Sequence, residues 1–114
     1  MIFTIYMHKN KINNKIYIGQ TCQDPEQRWK NGNGYKTCIY FNAAIQKYGW
    51  NNFEHIILNQ EEMTQEEANQ KEIFYIKKYD SQNPKKGYNI NAGGQHSISP
   101  NALPAAIDWM QKHP

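Results

Sequence analysis

A chain of 114 residues with a formal net charge of +3 has room for one small core and not for two, so a single domain is expected, mildly basic and suited to a polyanionic partner. It holds no run of about 18 apolar residues and no basic-then-apolar leader, which excludes a membrane-spanning helix and predicts a soluble, cytoplasmic protein. Cys22 and Cys38 are too few for a disulfide framework, and His8, His55, His96 and His113 lack ligand spacing, so no zinc site is expected and both thiols read as reduced.

In chain order, Phe3, Ile5 and Met7 alternate with Thr4, Tyr6 and His8, and Ile16 and Ile18 alternate with Lys15, Tyr17 and Gly19. Each run predicts a β-strand with its apolar set toward a core. The Asn13-Asn14 signal between them closes an antiparallel hairpin. That pairing sets Tyr6 and Tyr17 close together on one face, read here as a surface outside the core.

Asp24-Pro25-Glu26-Gln27 is a helix start: an acid at the N-cap, proline at the first helical position and Gln27 as a capping-box partner. Arg28 then falls in the first turn, where a cation opposes the helix dipole by about a few tenths of a kcal/mol. It is the single arginine beside twelve lysines. A solvated surface arginine is one reading; the other is a planar fork of donors suited to phosphate. Asn31-Gly32-Asn33-Gly34 predicts a loop that tolerates positive φ. Cys38, Phe41, Ala44, Ile45 and Tyr48 recur at helical spacing before Gly49, a C-cap residue. Residues 53–58 read as a third strand. The fold class expected is therefore α/β (α+β), a small three-stranded antiparallel sheet flanked by helices.

Thr64-Gln65-Glu66-Glu67 is a second capping box, and its helix runs to about Tyr79 before Asp80 to Pro84 end it. Ala68, Ile73, Tyr75, Ile76 and Tyr79 form one stripe, with Glu72 inside it. A carboxylate on such a stripe is costly unless paired. It either reaches water or a tyrosine hydroxyl from the stripe's edge, or it is a metal ligand at the floor of a site. Lys77, Lys78, Lys85 and Lys86 form either a solvated edge or a contact to a phosphate backbone. Asn89, among glycines and asparagines, reads alone as a turn residue. From Ser97 the composition changes, and residues 101–112 predict a short helix with Leu103 and Ile107 on its apolar face. The chain is thus divided into a domain at 1–96 and a tail at 97–114.

Ile5-Tyr6, then Tyr17-Ile18-Gly19, Arg28, Glu72 and Gly87-Tyr88-Asn89, in that order over about residues 2 to 94, resemble the signature of the GIY-YIG nuclease family. Thr4 stands where the family name has glycine, a departure that removes no chemical group. The resemblance implies a metal-dependent DNA endonuclease of homing or mobile-element type, bacterial or phage-encoded, with oligomeric state left open. A repair or restriction nuclease of the same family shares these residues. The reading from another class is a nucleic-acid-binding module without catalysis, whose mark is loss of Glu72 or Arg28; both are present. By the same resemblance Glu72 binds one Mg²⁺ or Mn²⁺ and Arg28 holds the scissile phosphate. Tyr6 is the general base, Tyr17 positions it, and Asn89 completes the catalytic set, while Lys77, Lys85 and Lys86 join Arg28 on the DNA. A free phenol ionises near pH ~10, so a basic Tyr6 needs positive charge nearby.

Overall fold

The computed structural model describes residues 1–90, and in it the two alternating runs form β1 (Ile2–Asn10) and β2 (Ile16–Thr21), paired antiparallel. The turn between them is closed by its asparagines. Asn14 takes φ 64°, and the side chains of Asn10 and Asn13 accept the amides of Ile12 and Lys15 at 2.9 Å each, the local bonding that favours Asn in turns. β3 (Phe53–Glu62) pairs antiparallel with the other side of β1, giving the order β2-β1-β3. It runs past the expected end at Leu58: Gln60 to Glu62 are polar and carry no strand pattern of their own, and their pairing with Thr4, Phe3 and Ile2 is what makes them strand. A bulge opposite Ile5 and Tyr6 shifts the register there, which changes the face presented by β3 on either side of it.

One face of the sheet is the expected core. Phe3, Ile5, Met7, Ile16 and Ile18 meet Met63, Ala68 and Ile76, the last two on α3 (Gln65–Tyr79). The capping box at its start is formed: the Thr64 hydroxyl accepts the Glu67 amide at 3.1 Å, and the Glu67 carboxylate accepts the Thr64 amide at 3.2 Å, worth about 1 kcal/mol. Asp80 at φ 55° ends the helix. Ala68, Glu72, Ile73 and Ile76 are buried as the stripe predicts, together with Phe74; Tyr79, at the stripe's end, is exposed.

The other face is not the open surface that the alternation suggests. α1 (Pro25–Trp29), a 3₁₀ segment (Lys30–Tyr35) and α2 (Ile39–Tyr48) cover it. They bring Trp29, Tyr35, Phe41, Ala44 and Ile45 against Tyr6, Phe53 and Tyr88. Tyr6 is 1% exposed and His8 0%. Tyrosine and histidine alternating with aliphatic residues resemble a solvent side, yet their rings bury large areas once a second aromatic layer meets them. Residues 31–34, expected as a loop, fall within the 3₁₀ segment, which is kinked where Asn31 and Gly32 take the expected positive φ, and Gly49 ends α2 by donating to the Ile45 carbonyl at 2.8 Å. The tail expected at 97–114, with its helix and its boundary, lies outside the described residues.

Candidate active site

The β1–β2 register places Tyr6 opposite Gly19 and Tyr17 opposite His8, so both phenols leave the same face of the sheet. A Cβ at Gly19 would lie 2.5 Å from the Tyr6 hydroxyl oxygen; the hydroxyl has its space only because that residue is glycine. The Tyr17 ring stacks flat on Phe41, with centroids 4.4 Å apart and planes 2° from parallel, and its hydroxyl lies 3.6 Å from the Cys38 sulfur. The Tyr35 hydroxyl donates to that of Tyr6 at 3.1 Å.

Burial pushes Tyr6 up to about 12, against the pull of the Tyr35 hydrogen bond and the Arg28 charge. Burial lifts Tyr17 well above the usual phenol range, and the neighbouring Tyr6 and Cys38 add to the shift. The positive charge expected beside Tyr6 is therefore there, but it is outweighed: both phenols are neutral near neutral pH.

Arg28 stands differently from the sequence expectation. α1 is a single turn of 5 residues, capped by Asp24, whose carboxylate accepts the Glu26 amide, and stopped by Lys30 in the left-handed region. Arg28 is thus in the first turn, as expected, and in the last turn as well, where a cation is favoured, and the conflict with the helix dipole disappears. What fixes the side chain is tertiary: its Nη1 donates to the Gly34 carbonyl at 2.6 Å, and its guanidinium lies over the Tyr35 ring, 4.6 Å from the centroid. Burial works against its charge, but the phenols of Tyr6, Tyr35 and Tyr17 hold its pKa above the ordinary value.

Glu72 is 7% exposed. The Gln20 amide on β2 donates to its carboxylate at 3.2 Å and to Asn69 at 2.7 Å, while Gln65 donates to the Gln20 oxygen at 2.8 Å. These amides tie the end of β2 to α3 and set the carboxylate's place. Tyr6, Tyr17, Arg28 and Glu72, from separate elements, line one cavity of about 420 Å³ together with Gly19 and Gln20.

Among the described residues no three His, Cys, Asp or Glu side chains gather as a metal cage, and Glu72 is the acid lining this cavity. One carboxylate with phenol and amide oxygens nearby is a hard-oxygen donor set. It fits a Mg²⁺ or Mn²⁺ ion that keeps most of its ligands as water and phosphate; one thiol, Cys22, and no imidazole line the same cavity, short of the nitrogen and sulfur set of a zinc site.

Asn89 is not in the cavity lining. Its side chain lies on the outer edge of β2, with Oδ1 accepting the Ile18 amide and Nδ2 donating to the Ile18 carbonyl, both at 2.9 Å. Nor are the three lysines brought in. Lys77 is exposed in the last turn of α3, and Lys85 and Lys86 border a different depression with Lys9 and Asn14. Lys86 also pairs with Asp80 at 3.7 Å.

Three residues close to the cavity had no mark in the sequence. His8 and His55, opposite one another in the β1–β3 register, join through their Nδ1 atoms at 2.9 Å. His8 Nε2 lies 2.8 Å from the Tyr35 hydroxyl, which bonds Tyr6. His8 does share the alternation of Tyr6, but its partner is 47 residues away, so only the sheet register reveals the pair.

The profile of the GIY-YIG catalytic domain matches residues 2–89. The chain is 35% identical over 91 residues to Intron-associated endonuclease 1 of Enterobacteria phage T4, an alignment that takes in 75% of this chain and 36% of that relative's length. Among solved structures it resembles the catalytic domain of the homing endonuclease I-TevI, at 32% identity with a TM-score of 0.64, covering 77% of this chain and 97% of that one. A mutant of the same catalytic domain matches with a TM-score of 0.68, covering 82% and 97%.

Proposed function

The chain belongs to the GIY-YIG catalytic-domain family, and on that premise we propose that it is a DNA endonuclease of the homing or mobile-element type, phage- or bacterially encoded, acting with a divalent cation. The observation that carries this reading is the convergence of Tyr6, Tyr17, Arg28 and Glu72 on one cavity. An intron-associated endonuclease among the relatives favours the homing type over repair or restriction. No described helix is long and apolar enough to cross a membrane.

Hydrolysis of a phosphodiester needs a nucleophilic water, positive charge on the non-bridging oxygens and help for the leaving oxygen. Arg28, braced from behind by Gly34 and Tyr35, presents its remaining N–H donors and holds the phosphate where charge develops. Tyr6 is the base: Arg28 and the Tyr35 hydroxyl both favour its ionised form, whereas burial, Tyr6 and Cys38 all oppose ionisation of Tyr17. Tyr17, held flat on Phe41, orients the water. Glu72, set by Gln20, is the residue that holds Mg²⁺ or Mn²⁺, which when bound supplies charge to the phosphate and to the departing oxygen. Asn89 positions Tyr17 and Gly19 through the backbone of Ile18. Lys77, Lys85 and Lys86, away from the cavity, contact DNA backbone beyond the cleaved bond.

The test is cleavage of supercoiled plasmid and branched DNA with and without Mg²⁺, beside Glu72→Ala. The substitution should abolish cutting and leave the thermal melt in place. A Glu72→Ala protein that cuts at an unchanged rate would refute the assignment.

A further inference from the structure

His8 is 0% exposed among the rings of Tyr6, Trp29, Tyr35 and Phe41. Phenylalanine would fill that space without polar demands, whereas a buried imidazole is tolerated only when its nitrogens are bonded. Both are, and in one direction: from His55, exposed on β3, through His8 and Tyr35 to Tyr6 in the cavity, by links of 2.9, 2.8 and 3.1 Å. The line is continuous from the exposed His55 to Tyr6 in the cavity lining. We propose that it is a proton relay that ionises Tyr6 and delivers its proton to solvent at His55. The proposal rests on the reading of Tyr6 as the base.

A relay is needed because a cavity filled by a phosphodiester leaves little bulk water to take a proton from Tyr6. Each group can play its part in the transfer. The Tyr35-to-Tyr6 direction of the hydrogen bond is that of the line after transfer; before it the Tyr35 hydrogen is turned to His8 Nε2 and Tyr6 donates to Tyr35, since hydroxyl hydrogens rotate to suit and a neutral imidazole donates at one nitrogen and accepts at the other. The Tyr6 O–H bond breaks and its proton passes to the Tyr35 oxygen. Tyr35 gives its own proton to His8 Nε2, and His8 gives its Nδ1 proton to His55 Nδ1. His55 then loses its Nε2 proton to water. Tyr6 is left as a phenolate beside Arg28, and His8 has exchanged tautomers without carrying a net charge. The phenolate takes a proton from the attacking water. After product release the line resets in reverse, His55 accepting a proton from solvent and Tyr6 releasing one to the water that refills the cavity.

His55 must be neutral to accept. Glu26 and Lys11 are the charged groups that act on it; Arg28 acts on His8, and Arg28, Glu72 and Cys38 act on Tyr6. The experiment is single-turnover cleavage by wild type, His55→Ala and Tyr35→Phe over about pH 5 to 8, where imidazole titrates, beside thermal melts. His55→Ala, which leaves the buried His8 Nδ1 without its partner, should stay folded but melt below wild type, cut about tenfold more slowly, lose the acid limb of the rate profile and recover when imidazole is added to the buffer. Tyr35→Phe, broken in the middle of the line, should slow without imidazole rescue. Independently of activity, long-range ¹⁵N–¹H spectra should show His8 protonated at Nδ1 and not at Nε2. Wild type that cuts beside a His55→Ala protein of equal rate and profile overturns the relay alone, as does an Nε2-protonated His8. Wild type that cuts no DNA overturns the nuclease reading and the relay with it.

Discussion

Arg28 illustrates how much one side chain depends on its shape as well as its charge. The guanidinium places one N–H on the Gly34 carbonyl and one face on the Tyr35 ring, and the residue lines the cavity. Lysine supplies the charge but neither the plane nor the fork. Arg28→Lys is therefore expected to lower single-turnover cleavage about a hundredfold or more, roughly 2.7 kcal/mol of transition-state stabilisation. The lost bond to Gly34 should cost about 1 kcal/mol of stability, which a thermal melt will register as a small shift. Cleavage within a few-fold of wild type would make Arg28 a strut for the turn at 30–35 and remove it from the chemistry.

At the scale of elements, the weak point is β2, which has 6 residues and one strand neighbour, yet carries Tyr17, Gly19 and Gln20. An unpaired strand edge needs cover, and the segment after α3 provides it. The Ile16 amide donates to the Lys86 carbonyl at 3.1 Å, and the Tyr88 amide donates to the Ile16 carbonyl at 2.9 Å. Asn89 then serves Ile18 as a neighbouring strand would. The approach is tight enough to require glycine at 87, where a Cβ would lie 2.4 Å from the Ser81 carbonyl oxygen and 2.7 Å from that of Ile16. Asn89→Ala leaves two buried backbone groups unpaired, at about 1 to 3 kcal/mol each. The expected result is a lower denaturation midpoint together with slower cleavage, since Tyr17 and Gly19 flank the freed residue. If this variant denatures like wild type, the edge clamp is not what Asn89 provides.

The whole molecule inherits a pH dependence from its second core. Burial, then the neighbouring His55 and Arg28, hold the His8 pKa well below its ordinary value, and burial lowers that of His55 despite Glu26. A depressed folded-state value means that the contribution of neutral His8 is complete above the unfolded value of about 6.5 and is lost as pH falls through the lowered one. Tyr6 acts on the alkaline side: raised to about 12, it contributes fully below about pH 10 and loses that contribution as pH climbs through the raised value. Melting temperature should thus be flat around neutral pH, fall on acidification, and fall again at high pH. His8→Phe should flatten the acid limb. An acid limb unchanged in that variant would assign it to carboxylates instead.

Local chemistry written in consecutive residues was legible from the sequence. Alternation fixed the hairpin and its faces, Thr64 and Glu67 fixed the start of α3, and helical spacing put Glu72 on the inward stripe, because each depends on neighbours within a few positions. The order of Tyr6, Tyr17, Arg28, Glu72 and Asn89 pointed to the family, and four of the five line one cavity. What the chain did not disclose depends on partners with no local pattern. Asn89 and Ile18 are 71 residues apart, Gln20 and Glu72 are 52, and His8 meets His55 only through strand register. The burial of the Tyr6 face was hidden for the same reason: whether a tyrosine and a histidine face water or other rings is decided by what folds over them, and here that is a layer supplied by residues 29 to 53, distant in sequence from the strand they cover.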